Sequence, residues 1–161
     1  MVQVIYPGSF DPITFGHLDV LERATNLFDK VIITIAVNTR KNAIFTPDER
    51  ISLIRESISQ ETWSEKVDIR KFTGLLVDFA HESNVKTLIR GVRQFSDYEY
   101  EFRMALMNRK LGRDIDTIFL MPSEHLTFVS GSLVREIAYW GGDVSHFVPA
   151  NVAEALKNKY R

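Results

Sequence analysis

The run VIITIAV at residues 31–37 constrains the fold more than any other stretch. Apart from Thr34 it is apolar throughout, so it has no polar face to offer water, and it is too short for a core helix. Such a run suits a parallel strand buried on both faces, and parallel strands need crossover connections, usually helices. The rest of the chain supplies that alternation. VQVIY (Val2 to Tyr6) reads as a strand, and GHLDVLERATNLFDK carries Leu18, Leu21, Ala24 and Phe28 at helical spacing. TPDER opens another helix, with Thr46 as cap, Pro47 at the first helical position and Glu49 closing a capping box. VDIRKF, KTLIR and DTIFLM continue as strands, with LLVDFAHESN, DYEYEFRMALMNRKL and SLVREIAYW as helices. Gly141 and Gly142 stop the last of these, and a final helix is expected roughly from Val152 to Tyr160. The fold class expected is α/β: a doubly wound, mostly parallel sheet of five strands with helices on both faces.

At 161 residues, without repeats, low-complexity stretches or linkers, the chain is expected to form a single domain over residues 1–161. The absence of cysteine excludes a disulfide framework, a thiolate nucleophile and a zinc-thiolate site, and makes the cytosol the default compartment. Residues 1–30 lack the basic segment and apolar core of a signal peptide, and no apolar run approaches the ~18 residues of a membrane span. No membrane partner is therefore expected. A net charge of −1 with 25% charged residues gives no overall bias toward nucleic acid, so any anion site must be local.

Ligands of such sheets bind beyond the carboxyl ends of the strands. The loops that leave those ends are PGSFDPITFGH, NTRKNAIFT, TG, GVRQFS and PSEHLTFVSGS. They hold Lys41, Arg93, His17 and several Ser, Thr and Gly residues, with Arg90 at the end of the fourth strand and Arg135 in the helix behind the fifth loop. Cations beside helix N-termini, which carry roughly half a positive charge, make an anion site, and a polyphosphate is the expected ligand. In the first loop Gly8 and Ser9 let the backbone approach a phosphate, Pro7 and Pro12 stiffen the chain, and Thr14 can cap the helix that Gly16 and His17 begin. His17 is expected to donate a hydrogen bond to a phosphoryl oxygen, the bland alternative being that it only caps its own helix. Neither GxxxxGK[ST] nor, in the first loop, GxGxxG is present.

TFGH in the first loop and SGSLVR in the last resemble the paired signature of the HIGH-motif nucleotidylyltransferases. Extended to YPGSFDPITFGH and joined in order by TPDER, LIRGVR, DYEYE, FLMPS and GDVSHFVP, the pattern is similar to the bacterial phosphopantetheine adenylyltransferase family over essentially the whole chain. The resemblance implies a Rossmann-like fold and a cytoplasmic homohexamer. It implies reversible transfer of the adenylyl group from ATP, with Mg2+, to 4′-phosphopantetheine, giving dephospho-coenzyme A and pyrophosphate in coenzyme A synthesis. Coenzyme A as feedback inhibitor is a further family expectation. Ser9, Phe10 and His17 would contact ATP, Ser9 also lying near the acceptor. Lys41, Leu76 and Arg90 would bind phosphopantetheine, joined by Asn108. Gly91, Val92, Arg93 and Glu101 would hold the nucleotide, as would Leu126, Thr127, Phe128 and Val129 followed by Ser130, Gly131 and Ser132. Where the family commonly has three successive hydroxyl residues, Gly131 supplies none.

The chemistry needs no protein base, because a phosphate monoester with a second pKa of about 6 is already largely dianionic at neutral pH. What it needs is cations placed around an in-line displacement. His17, Lys41 and Arg90 are the catalytic candidates: Lys41 and Arg90 would hold the attacking phosphate and His17 the transition-state oxygens. Arg93 and the 130–132 loop would grip the leaving pyrophosphate. Simpler readings stand beside these: Lys41 a solvated charge, Leu76 a core residue, and Glu101 a partner for Arg103 or Arg93. His81, His125 and His146 have no metal-ligand spacing and read as surface or structural residues, and no metal held by protein ligands is expected. Competing functions are a nucleotidylyltransferase acting on nicotinate mononucleotide or a phosphorylated alcohol, a non-catalytic ATP sensor, and a class I aminoacyl-tRNA synthetase fragment. The last lacks a KMSKS-like loop here.

Overall fold

The computed structural model describes residues 1–37 and 42–161. Strands β1 (Gln3–Gly8), β2 (Lys30–Ala36), β3 (Val67–Phe72), β4 (Thr87–Gly91) and β5 (Asp116–Leu120) form one sheet in the order β3-β2-β1-β4-β5. Every neighbouring pair is parallel. Helices α1 (Phe15–Leu27), α2 (Pro47–Ile58), α3 (Leu76–Glu82), α4 (Phe95–Leu111), α5 (Gly131–Tyr139) and α6 (Ala150–Lys159) cover it. The α/β sheet expected from the sequence is the one that forms.

Strand periodicity explains the two cores. Val4 and Tyr6 of β1 join Val31, Ile33 and Ile35 of β2 in one cluster, while Ile5 and Ile32, one residue out of phase, join the other. The first face packs against α1, α2, α5 and α6 through Leu21, Ala24, Ile54, Val134, Val152 and Leu156. The second packs against Val77 and Ala80 of α3, with Val85 and Ile115. Fully burying an aliphatic side chain of this size is worth about 1.5–3 kcal/mol, so β2, buried from Val31 to Ile35, is the spine of both layers.

Several boundaries differ from the sequence expectation, each for a local reason. β1 runs on through Pro7 and Gly8, because pairing with β2 continues as Pro7↔Thr34 and Gly8↔Ile35. On its other side, the ladder between β1 and β4 consists of Ile5↔Leu88. Pro7 has no N–H to give, and beyond Ile5 the two strands are unladdered at the point where strand order reverses. That is where a doubly wound sheet opens its crevice. Helix α4 begins at Phe95, and α6 begins at Ala150 directly after Pro149. Short 3-10 turns at Ser64–Lys66 and Glu124–Leu126 carry too little periodicity to read from sequence. The capping box of α2 forms as expected: Thr46 Oγ1 accepts from Glu49 N–H at 3.2 Å, and Glu49 Oε2 accepts from Thr46 N–H at 2.7 Å. Gly141, at φ +77°, supplies the left-handed residue that ends α5.

Candidate functional site

A cleft of about 720 Å³ lies over the carboxyl ends of the strands. Its floor is Tyr6, Pro7 and Gly8 of β1 and Arg90 and Gly91 of β4; the starts of α1, α3, α4 and α5 contribute His17, Leu76, Ser96 and Gly131. Helix N-termini with cations between them are what an anion needs.

His17 sits at the third position of α1, and it does two jobs there. Thr14 Oγ1 accepts from His17 N–H at 3.3 Å, while His17 Nδ1 accepts from Thr14 N–H at 3.0 Å, a capping box closed by an imidazole. The helix-capping role is therefore real, and it fixes the tautomer. An Nδ1 that accepts leaves the ring proton on Nε2, on a residue lining the cleft. Burial, then the positive charges of Arg93 and Arg90, push the imidazole down to about 4, so near neutral pH it is uncharged. It can give a proton in a hydrogen bond but is a poor base. The Phe10 ring steadies it edge-on, with centroids 5.1 Å apart, and meets Tyr6 in the same way at 5.2 Å. Gly8 makes room for that ring: a Cβ there would stand 2.9 Å from Phe10 Cε2.

Arg90 closes β4 against a carboxylate. Its Nε donates to Glu101 Oε2 at 2.7 Å, Nη2 to Glu101 Oε1 at 2.5 Å, and Nη1 to Pro7 O at 2.5 Å. Burial alone would lower the guanidinium's pKa; Glu101 more than offsets this and holds it above its ordinary value. Glu101 pairs with neither Arg103, which meets Glu99, nor Arg93. Arg93 Nε donates to Asp97 Oδ2 at 3.0 Å and Nη1 to Val129 O at 2.6 Å, joining the start of α4 to the loop before α5. The cleft's carboxylates are all engaged: Glu101 by Arg90, Asp97 by Arg93, and Asp11 by the N–H groups of Ile44 and Phe45, each at 2.9 Å.

Of the residues expected from sequence, Ser9, Phe10, His17, Leu76, Arg90, Gly91, Arg93, Glu101, Asn108, Val129, Ser130, Gly131 and Ser132 line this one cleft. Leu76 both lines the cleft and packs on the smaller core. Val92, Leu126, Thr127 and Phe128 do not line it. Val92 N–H pairs with Leu120 O at 3.0 Å, and the Leu126 carbonyl packs over Gly16. Phe128 turns edge-on to Phe147 instead. Lys41 lies outside the described residues. Sequence reasoning missed Arg50 and Asp97 at the wall, and it missed the anchor of the fifth loop, where Asp19 Oδ2 accepts from Ser123 N–H at 2.8 Å. Among the described residues no three His, Asp or Glu side chains gather as a metal site.

Comparison with known proteins bears on the family and the fold. Residues 5–137 match the model of the cytidylyltransferase-like family. A phosphopantetheine adenylyltransferase of Opitutus terrae is 50% identical over 157 residues, covering 98% of this chain and 96% of that one. The enzyme of the same name from Desulfosudis oleivorans is 48% identical over 155 residues, covering 96% and 90%. Among solved structures, Plasmodium falciparum nicotinic acid mononucleotide adenylyltransferase, complexed with NaAD, superposes with a TM-score of 0.73 at 17% identity, covering 99% of this chain and 96% of that one. A structure from Vibrio parahaemolyticus named a putative nicotinate-nucleotide adenylyltransferase gives 0.71 at 19%, covering 100% and 96%; these two speak for the fold alone. With near-full-length relatives at this identity, the chain belongs to the phosphopantetheine adenylyltransferase family of cytidylyltransferase-like nucleotidyltransferases.

Proposed function

We propose that this chain transfers the adenylyl group of ATP reversibly to 4′-phosphopantetheine, forming dephospho-coenzyme A and pyrophosphate in coenzyme A biosynthesis. The observation that carries the reading is the neutral His17 imidazole, its Nδ1 occupied by Thr14, lining one cleft with Arg90 and Arg93. The acceptor phosphate attacks the α-phosphorus of ATP; the new O–P bond forms as the bond to pyrophosphate breaks, in line. Nothing has to remove a proton from the attacking group, whose second pKa is about 6. The engaged carboxylates of Asp11, Asp97 and Glu101 fit that economy. Arg90 and Lys41 hold the attacking phosphate, and His17 Nε2–H donates to an oxygen on the α-phosphorus as charge builds there. Arg93 and the start of α5, at Ser130, Gly131 and Ser132, hold the leaving pyrophosphate. Ser130 Oγ accepts from Leu133 N–H at 3.1 Å as the helix cap, which leaves its O–H to donate to phosphate beside the backbone N–H groups of the helix start, Gly131's included.

Mg2+ enters as part of the nucleotide substrate, bound through its phosphates, which suits a cleft lined by arginines and a neutral histidine. Apolar Leu76 and Met104 on the cleft wall suit the pantetheine arm. Coenzyme A, carrying the same arm and an adenylate, would compete for the same cleft as a feedback inhibitor. No described helix is long and apolar enough to cross a membrane, and a cytoplasmic enzyme is the proposed setting. A homohexamer is proposed as well; α4 leaves Phe95, Phe102, Leu106, Met107 and Leu111 exposed, the kind of surface that subunits bury.

The test is pyrophosphate release from ATP and Mg2+ with 4′-phosphopantetheine, with nicotinate mononucleotide, and with no acceptor. Release with phosphopantetheine alone, with dephospho-coenzyme A as product, is the expected result. Release with nicotinate mononucleotide instead would keep the chemistry and overturn the substrate. ATP binding without turnover on either would replace the enzyme reading with a nucleotide sensor.

A further inference from the structure

The first loop holds its shape against a local penalty. Phe10 has φ +46°, in the left-handed region that costs a residue with a Cβ about 1–2 kcal/mol. Such a conformation persists only where the surroundings over-determine it. Here the carbonyls on either side of Phe10 are each gripped by an arginine from a different helix. Arg50 of α2 donates through Nη1 to Ser9 O at 2.8 Å, and Arg135 of α5 donates through Nη1 to Asp11 O at 2.5 Å. Arg135 also donates through Nη2 to Ser132 Oγ at 3.2 Å, so one guanidinium ties the first loop to the fifth. Gly131 lies against this junction: a Cβ there would stand 3.5 Å from Arg135 Nη1 and 3.6 Å from Asp11 O.

Arg50 is only 5% exposed, yet its hydrogen bonds go to main-chain carbonyls, Ser9 O and, at 3.4 Å from Nε, Thr46 O. Asp11 offers it a negative charge without a direct bond, because the Asp11 carboxylate is taken by Ile44 and Phe45 N–H. Burying a guanidinium on neutral acceptors is a poor bargain for stability alone. It makes sense where the geometry of the bonded loop matters.

We propose that Arg50 and Arg135 are positioning residues for adenylyl transfer: gripping the carbonyls that flank Phe10, they fix the main chain from Ser9 to Asp11 and, through the Phe10 ring, the place of the His17 imidazole. The proposal rests on the function given above. Phe10 transmits the constraint because its ring meets His17 edge-on.

Steady-state kinetics of Arg50→Met and Arg135→Met, each also in a His17→Ala background, test this. Each single substitution is expected to lower kcat about tenfold or more, a scale that small misplacements readily reach, with KM for both substrates moving less than about threefold. In the His17→Ala background the same substitutions should cost less than about threefold, because they act through a group already gone. Full additivity, a change confined to one substrate's KM, or a lowered melting temperature with unchanged kcat per folded molecule would overturn the proposal. Arg135 is partly exposed, so Arg135→Met carries the comparison if Arg50→Met does not fold. The 15N resonances of the His17 ring, read without substrate, should shift in the folded variants. Unchanged resonances would contradict the positioning role even if the wild type turned over neither acceptor, a result that would separately sink the function.

Discussion

Replacing His17 by alanine is expected to lower kcat by ~10²–10³-fold, the scale for losing one donor to a developing oxyanion. The same change removes the acceptor of the Thr14 N–H, so α1 should lose about 1 kcal/mol of capping as well. The two losses can be separated. Glutamine at this position can close a capping box, so His17→Gln should recover most of the melting temperature while kcat stays low. If kcat recovered together with the melting temperature, His17 would be a helix cap and no more. If His17→Ala raised KM with kcat intact, the imidazole would bind the ground state and the proposed role would be wrong.

The Arg90–Glu101 pair should give the next largest effect. Arg90→Met is expected to remove about 2–4 kcal/mol of transition-state stabilisation, roughly 30- to 10³-fold in kcat/KM for phosphopantetheine. It also strands Glu101, whose side chain is 10% exposed. Breaking a buried pair costs about 3–5 kcal/mol, but Arg90 is 31% exposed, so solvent should reduce the stability loss to about 1–3 kcal/mol. The double variant Arg90→Met/Glu101→Gln should restore stability without restoring activity. Glu101→Gln alone separates two roles for the carboxylate. If Glu101 orients Arg90, the acceptor's kinetic constants suffer; if it holds the nucleotide, KM for ATP rises while the acceptor's stays put.

The fold was legible because VIITIAV admits few settings and each later segment repeats its logic. The cleft was legible for a related reason: a doubly wound sheet puts its ligand at the strand ends, and His17, Arg93 and Gly131 belong to loops or first helical turns there, with Arg90 at the end of β4. What escaped reading were partners that only the folded chain selects. Arg50 lies within an amphipathic helix, where an arginine ordinarily faces water, and nothing local announces that it turns in to the Ser9 carbonyl. Glu101 has Arg103 two residues away, yet the crossover from β4 to α4 brings it to Arg90 instead. Leu126 to Phe128 fell short of the cleft because the 3-10 turn at Glu124–Leu126 packs that stretch over the start of α1 and against Phe147.

The doubled role proposed for His17 was also hidden, since helix capping and ligand binding look like alternatives in sequence. In the proposed mechanism the first enables the second. Thr14 takes Nδ1, the surroundings keep the ring neutral, and Nε2–H remains for a phosphoryl oxygen.

The central claim is a displacement that positions an already ionised nucleophile beside a neutral histidine and uses no protein base. The pH dependence of kcat/KM for 4′-phosphopantetheine, in the wild type and in His17→Gln, tests it most directly. The account predicts a single acidic limb near the acceptor's second pKa of about 6, present unchanged in both proteins. With its imidazole lowered to about 4, His17 should contribute no break between pH 5 and 8. A limb that the wild type shows and His17→Gln lacks would mean that His17 titrates and takes a proton, and the account would fail.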